Sequence, residues 1–255
     1  MNRIEACFQA RRAQGRKVLV GYLTAGDPDM AASEADIRTA VAEGVDVLEL
    51  GVPFSDPTAD GPVIQAAAFR ALQAGTTTAA VLELVRRLRR DLATPIVLFG
   101  YANPAYVYGF ERYCRDAAAA GADGLLIVDL PYEEAGELRA AAARHGLALI
   151  PLIAPTTPKA RAAAILAEAS GFVYYILFRG VTGARRGLAD DAAAQIRTLR
   201  EVTPLPLAAG FGVSDGPQAR AVAGLADGVV VGSALVKAAR EGRLAQLVRE
   251  LRAAL

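Results

Sequence analysis

Eight short apolar runs punctuate the chain at near-regular intervals: KVLVGYLTAG, VDVLELGVP, TPIVLFGYAN, DGLLIVDLP, LALIPLIAP, FVYYILF, LPLAAGFG and DGVVVGS. They are mostly continuous rather than alternating, the pattern of parallel strands buried on both faces, and most end in Gly, Pro, Asn or Asp, where loops begin. Between them lie Ala-rich amphipathic stretches that read as helices, such as Met30 to Glu43, Thr78 to Asp91, Phe110 to Ala120, Glu133 to Arg144 and Pro158 to Ala169. Ser214 and Asp215 ahead of Pro217 form a helix start signal, and Gly44, Gly121 and Gly146 sit where helices should stop. Strand starts recur at roughly 22 to 34 residues, except for one gap of about 50 after the second run, which holds SDPTADGPVIQ and a further helix. Eight alternating β and α units with right-handed crossovers suit a closed barrel better than an open doubly wound sheet, the alternative. The expectation is therefore an α/β chain: a single (β/α)8 TIM barrel over residues 1–255, with an extra N-terminal helix and a long loop after strand 2.

A chain of 255 residues, 53% of them hydrophobic and 22% charged, can bury a large core without disulfides or a structural metal. The formal net charge of +1 offers no bulk field for nucleic acid or an anionic membrane, so any anion site must be local. Cys7, Cys114 and the single histidine, His145, make neither a disulfide framework nor a zinc pattern. The N-terminus lacks the continuous apolar run of a secretory signal, and Pro, Gly or charge interrupts every candidate span before the roughly 18 to 20 residues that a bilayer needs. A cytoplasmic protein without membrane attachment is expected.

In a (β/α)8 barrel the site is built at the C-terminal ends of the strands. Glu49 lies inside the second run, where a buried glutamate is costly to ionise without partners, and Asp60 follows on the long loop. Two carboxylates in unlike environments can divide proton transfer from charge stabilisation. Late in the chain three glycine-rich turns follow strands: GVTG at Gly180 to Gly183, GFG at Gly210 to Gly212, and Gly232 with Ser233. Unhindered backbone N–H groups there can converge on a phosphate. Tyr22, Phe99, Tyr101, Leu126, Ile153 and Tyr175, near strand ends, would make an apolar slot for an aromatic ring.

The segment LELGVPFSDPTADGPVIQ resembles the signature of the tryptophan synthase alpha family. The resemblance continues in family order through GYLTAGDPD, GYANPAYVYG, DGLLIVDLPYEE, PLIAPTTP, GVTGAR, GFGVS and ADGVVVGSALVK. It implies retro-aldol cleavage of indole-3-glycerol phosphate to indole and glyceraldehyde 3-phosphate, with Glu49 and Asp60 catalytic and no metal or organic cofactor. It further implies phosphate contacts at Gly183, Phe211, Gly212, Gly232 and Ser233, an indole pocket of Tyr22, Tyr101, Leu126 and Tyr175, and a lid carrying Thr182. The implied partner is a beta subunit in an alpha2beta2 heterotetramer, faced by Pro53, Asp56, Asn103 and Pro104. One stretch departs from the family pattern: YYILFRGVTG has Phe178 where a serine is usual. A stand-alone indole-3-glycerol phosphate lyase, and a weakly catalytic activator of a beta subunit, are the competing expectations.

Overall fold

The computed structural model describes residues 2–177, 186–210 and 212–255, with the side chains of 186–191 excepted. The order of elements begins α1 (Arg3–Ala13), β1 (Val18–Thr24), α2 (Met30–Glu43), β2 (Val47–Gly51), α3 (Pro62–Gln73), α4 (Thr78–Leu88) and β3 (Ile96–Gly100). It continues through α5 (Ala102–Tyr108), α6 (Phe110–Ala120), β4 (Gly124–Ile127), α7 (Gly136–Arg144), β5 (Ala148–Leu149), β6 (Leu152–Ile153) and α8 (Lys159–Leu166). The last part comprises β7 (Val173–Ile176), α9 (Arg186–Arg200), β8 (Leu207–Gly210), α10 (Gly216–Ala223), β9 (Gly228–Val231), α11 (Ser233–Arg240) and α12 (Leu244–Ala253).

All pairings are parallel, in the order β5-β4-β3-β2-β1-β9-β8-β7-β6. The two outer members are consecutive pieces of one run, LALIPLIAP, so the sheet curls round until its ends meet in the same strand. Pro151 has no N–H to give a ladder and splits that run in two. The wall is nonetheless continuous across the break: Ile150 N–H donates to Leu125 O at 2.8 Å, and Pro151 O accepts Tyr174 N–H at 2.9 Å. The expected eight-unit barrel is present, with its fifth strand interrupted.

Strand residues alternate between two cores. Val18, Val20, Val47, Val97, Leu126, Ala148, Ile150, Phe172, Ala208 and Val230 fill the barrel interior. Their strand neighbours, among them Leu19, Leu48, Leu50, Leu98, Leu125 and Val229, pack outward against the helices. Because both faces are buried, the runs are continuous in sequence.

The N-terminal end of the barrel is closed by α1, whose Ile4 and Phe8 enter the interior cluster; the Phe8 and Phe172 ring centroids are 5.5 Å apart. Three aspartates placed just before strands anchor this end. Asp46, Asp123 and Asp227 accept the N–H groups of Leu19, Ile96 and Leu207 at 2.8, 2.8 and 2.9 Å. Each also accepts from one arginine of α1: Arg11 on Asp46 at 2.8 Å, Arg3 on Asp123 at 2.9 Å and Arg12 on Asp227 at 3.4 Å. Burying these carboxylates is tolerable because backbone and guanidinium donors replace their water. With this end plugged, the open, C-terminal end is left for chemistry. No helix among the described residues is long and apolar enough to cross a membrane.

Candidate active site

Glu49 is the central inward residue of β2, paired in register with Tyr22 on β1 and Val97 on β3. It is 1% exposed, and its Oε1 has no hydrogen-bond partner among the described residues. A carboxylate so placed loses its hydration with nothing in exchange, and burial pushes its pKa up to about 8. At neutral pH Glu49 is therefore mostly the neutral acid.

Asp60 lies near the same chamber, its charge acting with that of Glu49 on Tyr22 and Tyr174. The loop from Val52 to Gly61 ends where Pro62 begins α3, and Gln65 of that helix donates from Nε2 to Asp60 O at 2.9 Å, fixing the turn. The Tyr101 hydroxyl donates to Asp60 Oδ2 at 2.9 Å and accepts Ala59 N–H at 3.1 Å. Burial raises the pKa of Asp60, and the Tyr101 hydrogen bond offsets part of that rise. Burial and then the charge of Asp60 hold the Tyr101 phenol well above its ordinary range, so it stays a donor. The two carboxyls thus sit in unlike surroundings, one with no donor and one held by a tyrosine. Replacing Tyr101 with Phe removes that donor, and kcat/KM is expected to fall about tenfold while Tm stays nearly constant, the signature of one lost hydrogen bond to a charged group; steady-state kinetics beside a thermal scan decides it.

The anion side lies across β1. Gly232 stands at the N-cap of α11, which has no side-chain cap hydrogen bond, and Ser233 is the first helical residue. The first N–H groups of this helix are orphans pointing out of the positive end of its dipole. The neighbouring α10 differs: Asp215 Oδ1 accepts Gln218 N–H at 2.9 Å, and Glu250 accepts Gly216 N–H at 2.8 Å, so its terminus is already satisfied. Gly212, at φ +76°, occupies the left-handed region open to glycine, and among the described residues no atom lies within 4 Å of where its Cβ would be. Gly183, Phe211 and Thr182 lie outside the described residues.

Of the expected indole-pocket residues, Tyr22, Tyr101 and Leu126 are buried. Leu126 is in the interior cluster, and Tyr22 meets Phe99 edge-on at 5.1 Å. Tyr175 does not face the interior. Its hydroxyl donates to Gln195 on α9 and its ring belongs to the outer core, because inward positions on β7 are even-numbered. Tyr174 takes the inward place, packed on the interior cluster, and its phenol pKa is raised by burial, then by Glu49 and Asp60. Thr24, buried beside Tyr22, is a second residue not singled out in the sequence; a polar residue closing an apolar strand run was its only signal.

Pro53 is buried, Asp56 and Asn103 are exposed and Pro104 is half-buried. Asn103 and Pro104, expected after the third strand, form the first turn of α5, where proline is tolerated because its nitrogen needs no partner. Beside them Tyr106 and Val107 are 69% and 77% exposed. A cavity of about 360 Å³ lies beside the mouth, between the ends of β4 and β6 and the helices α7 and α8, lined by Leu130, Leu138, Leu152 and Ile165. Neither carboxylate lines it.

A buried carboxyl of raised pKa, a second carboxyl held by a tyrosine and a helix terminus without a side-chain cap, gathered at one end of the barrel, are the features of a class: (β/α)8-barrel enzymes equipped for acid–base chemistry. Comparison with known proteins makes this specific. Residues 8–254 match the family model described as tryptophan synthase alpha chain. The tryptophan synthase alpha chain of Geobacter sulfurreducens is 50% identical over 251 residues, covering 98% of this chain and 95% of the relative. That of Gluconacetobacter diazotrophicus is 52% identical over 237 residues, covering 92% and 86%. Among solved structures, tryptophan synthase subunit alpha from Legionella pneumophila superposes with a TM-score of 0.91 at 38% identity, covering 100% of this chain and 98% of that one. A Mycobacterium tuberculosis tryptophan synthase structure does so at 0.91 and 40%, covering 99% and 98%. The chain belongs to the tryptophan synthase alpha chain family, whose reaction is the lyase cleavage of indole-3-glycerol phosphate.

Proposed function

We propose that this chain performs that cleavage with Glu49 as proton carrier and Asp60 as the anchor of the indole nitrogen, and passes indole to a beta subunit in an alpha2beta2 assembly. The observation that carries the reading is the buried Oε1 of Glu49, which has no hydrogen-bond partner among the described residues and is free to meet a substrate. Neutral Glu49 gives its proton to indole C3, which makes the ring nitrogen an iminium held by the Asp60 carboxylate. The bond from C3 to C1′ then breaks, its electrons return to the indole, and the C1′ hydroxyl becomes an aldehyde as its proton passes to Glu49. Glu49 ends protonated, as it began, which agrees with its raised pKa. Gly212, Gly232 and Ser233 hold the phosphate through backbone N–H groups, with Gly183 and Phe211 completing the cradle and Thr182 carried on the lid by their match to the family pattern. Tyr101 and Leu126 wall the indole.

The face for the partner is the rim formed by Pro53, Asp56, Asn103 and Pro104. The adjoining exposure of Tyr106 and Val107 supports it, since a solvent-facing apolar pair beside polar residues suits burial against another protein. The setting is biosynthetic and cytoplasmic, and the whole chain acts as one barrel domain. Indole release from indole-3-glycerol phosphate, measured on the purified chain alone and with a beta subunit, tests the reading. Slow cleavage that rises several-fold with beta is expected; fast cleavage indifferent to beta would show a stand-alone lyase, and no cleavage in either condition overturns the proposal.

A further inference from the structure

The sheet order β2-β1-β9 places β1 between the strand that carries Glu49 and the strand that leads into the uncapped terminus of α11. The register makes this a row of inward positions. Tyr22 pairs with Glu49 on one side, and on the other Gly21 pairs with Val231, which brings Tyr22 level with Gly232. The side chain of Tyr22 spans the interval: a Cβ on Gly232 would lie 3.6 Å from Tyr22 Cβ, and a Cβ on Gly51, two residues beyond Glu49, would lie 2.2 Å from Tyr22 Oη. Only glycine at position 51 leaves room for that hydroxyl.

The hydroxyl is also left with a proton to give. Among the described residues its one hydrogen-bond partner is Thr24, whose Oγ1 lies 3.3 Å from Tyr22 Oη; with Thr24 donating, the phenol proton is available to a ligand. Burial, and next the charge of Asp60, keep the phenol protonated far above neutral pH.

The substrate of the proposed function presents three polar handles in sequence: the C1′ hydroxyl at the bond that breaks, the C2′ hydroxyl, and the phosphate on C3′. Glu49 on β2 takes the first and the terminus after β9 takes the last, so the middle handle falls over β1. We infer that the Tyr22 hydroxyl is a specificity-determining donor to the C2′ hydroxyl of the glycerol chain, rather than a wall of the indole pocket. The inference rests on the proposed function and assigns one more group within the same site.

The test compares two ligands by titration calorimetry on a Glu49→Gln background, which prevents turnover: indole-3-glycerol phosphate, and indole-3-propanol phosphate, which lacks both hydroxyls. Adding Tyr22→Phe should weaken the first by about fivefold to tenfold, the size of one neutral hydrogen bond, and change the second by less than about twofold. With Glu49 intact, Tyr22→Phe should raise KM by a similar factor with little change in kcat. Unchanged binding of the propanol phosphate also shows that the variant is folded. Equal weakening of both ligands would make the phenol a packing group, and no weakening of either would remove the hydrogen bond; both overturn the inference while leaving the proposed function standing. Failure of the Glu49→Gln parent to bind either ligand would bring down the proposed function itself.

Discussion

Glu49→Gln should lower kcat for indole-3-glycerol phosphate cleavage by about a thousandfold or more, within the range that a positioned general acid–base supplies, while affinity for the substrate changes only a few-fold. Glutamine fills the same space beside Tyr22 and Val97 but can neither deliver nor accept the proton. The pH profile of the parent adds a sharper test. Burial puts Glu49 near 8, so it enters the cycle as an acid at neutral pH. If its proton goes first to C3, kcat/KM falls about tenfold per unit as pH rises beyond about 8. A rate that climbs through 8 instead would mean that Glu49 enters ionised and that another group protonates C3. Asp60→Asn keeps an acceptor for the indole N–H and removes the charge that steadies the iminium. Its loss should be on the order of a hundredfold, with the Tyr101 hydroxyl still able to bond the amide oxygen.

The barrel was legible because its strands are buried on both faces, and the resulting apolar runs stand out between Ala-rich helices; Met30–Glu43 and Phe110–Ala120 form helices with the bounds the sequence suggests. The same double burial hid which way each residue points. In FVYYILF nothing distinguishes Tyr174 from Tyr175, and only the register with β8 turns the first inward and the second onto α9. Helix α5 was missed because its cap is remote: Asp129, from the loop after β4, accepts Ala102 N–H at 2.7 Å, and no local residue does so. The aspartates that tie down the barrel floor carry a signal that could be read, an Asp immediately before an apolar run in VDV and twice in ADG. Their partners, the arginines of α1, are distant in sequence and become evident only in the fold. Glu49 was legible for a physical reason: a lone carboxylate within VLELG has no local means of paying its desolvation.

That uncompensated burial gives the second large effect, on stability. The carboxyl of Glu49 titrates near 4.5 when the chain is unfolded and near 8 in the fold. Between those values the unfolded chain has released its proton and the fold retains it, so folding takes up a proton and stability falls as pH rises. Below about 4.5 the neutral acid costs nothing further, and above about 8 the full penalty is present. Glu49→Gln removes the titration, so the variant should gain on the parent progressively between these limits and hold a constant advantage above them. A shift of this size corresponds to an upper limit on the order of 5 kcal/mol, and water entering the open chamber should reduce it to about 2 to 4 kcal/mol. For a domain of this length that is roughly 5 to 10 °C in Tm at pH 9, with little difference at pH 4.5. Thermal scans of the two proteins across this range decide the matter, because titrations elsewhere in the chain cancel in the difference. A pH-independent gap would mean that Glu49 is ionised in the fold and held by a donor. A gap that opens between pH 4.5 and 8 would show the chain tolerating an unpaired buried carboxyl at the position where the proposed chemistry needs one, a loss of stability retained for function.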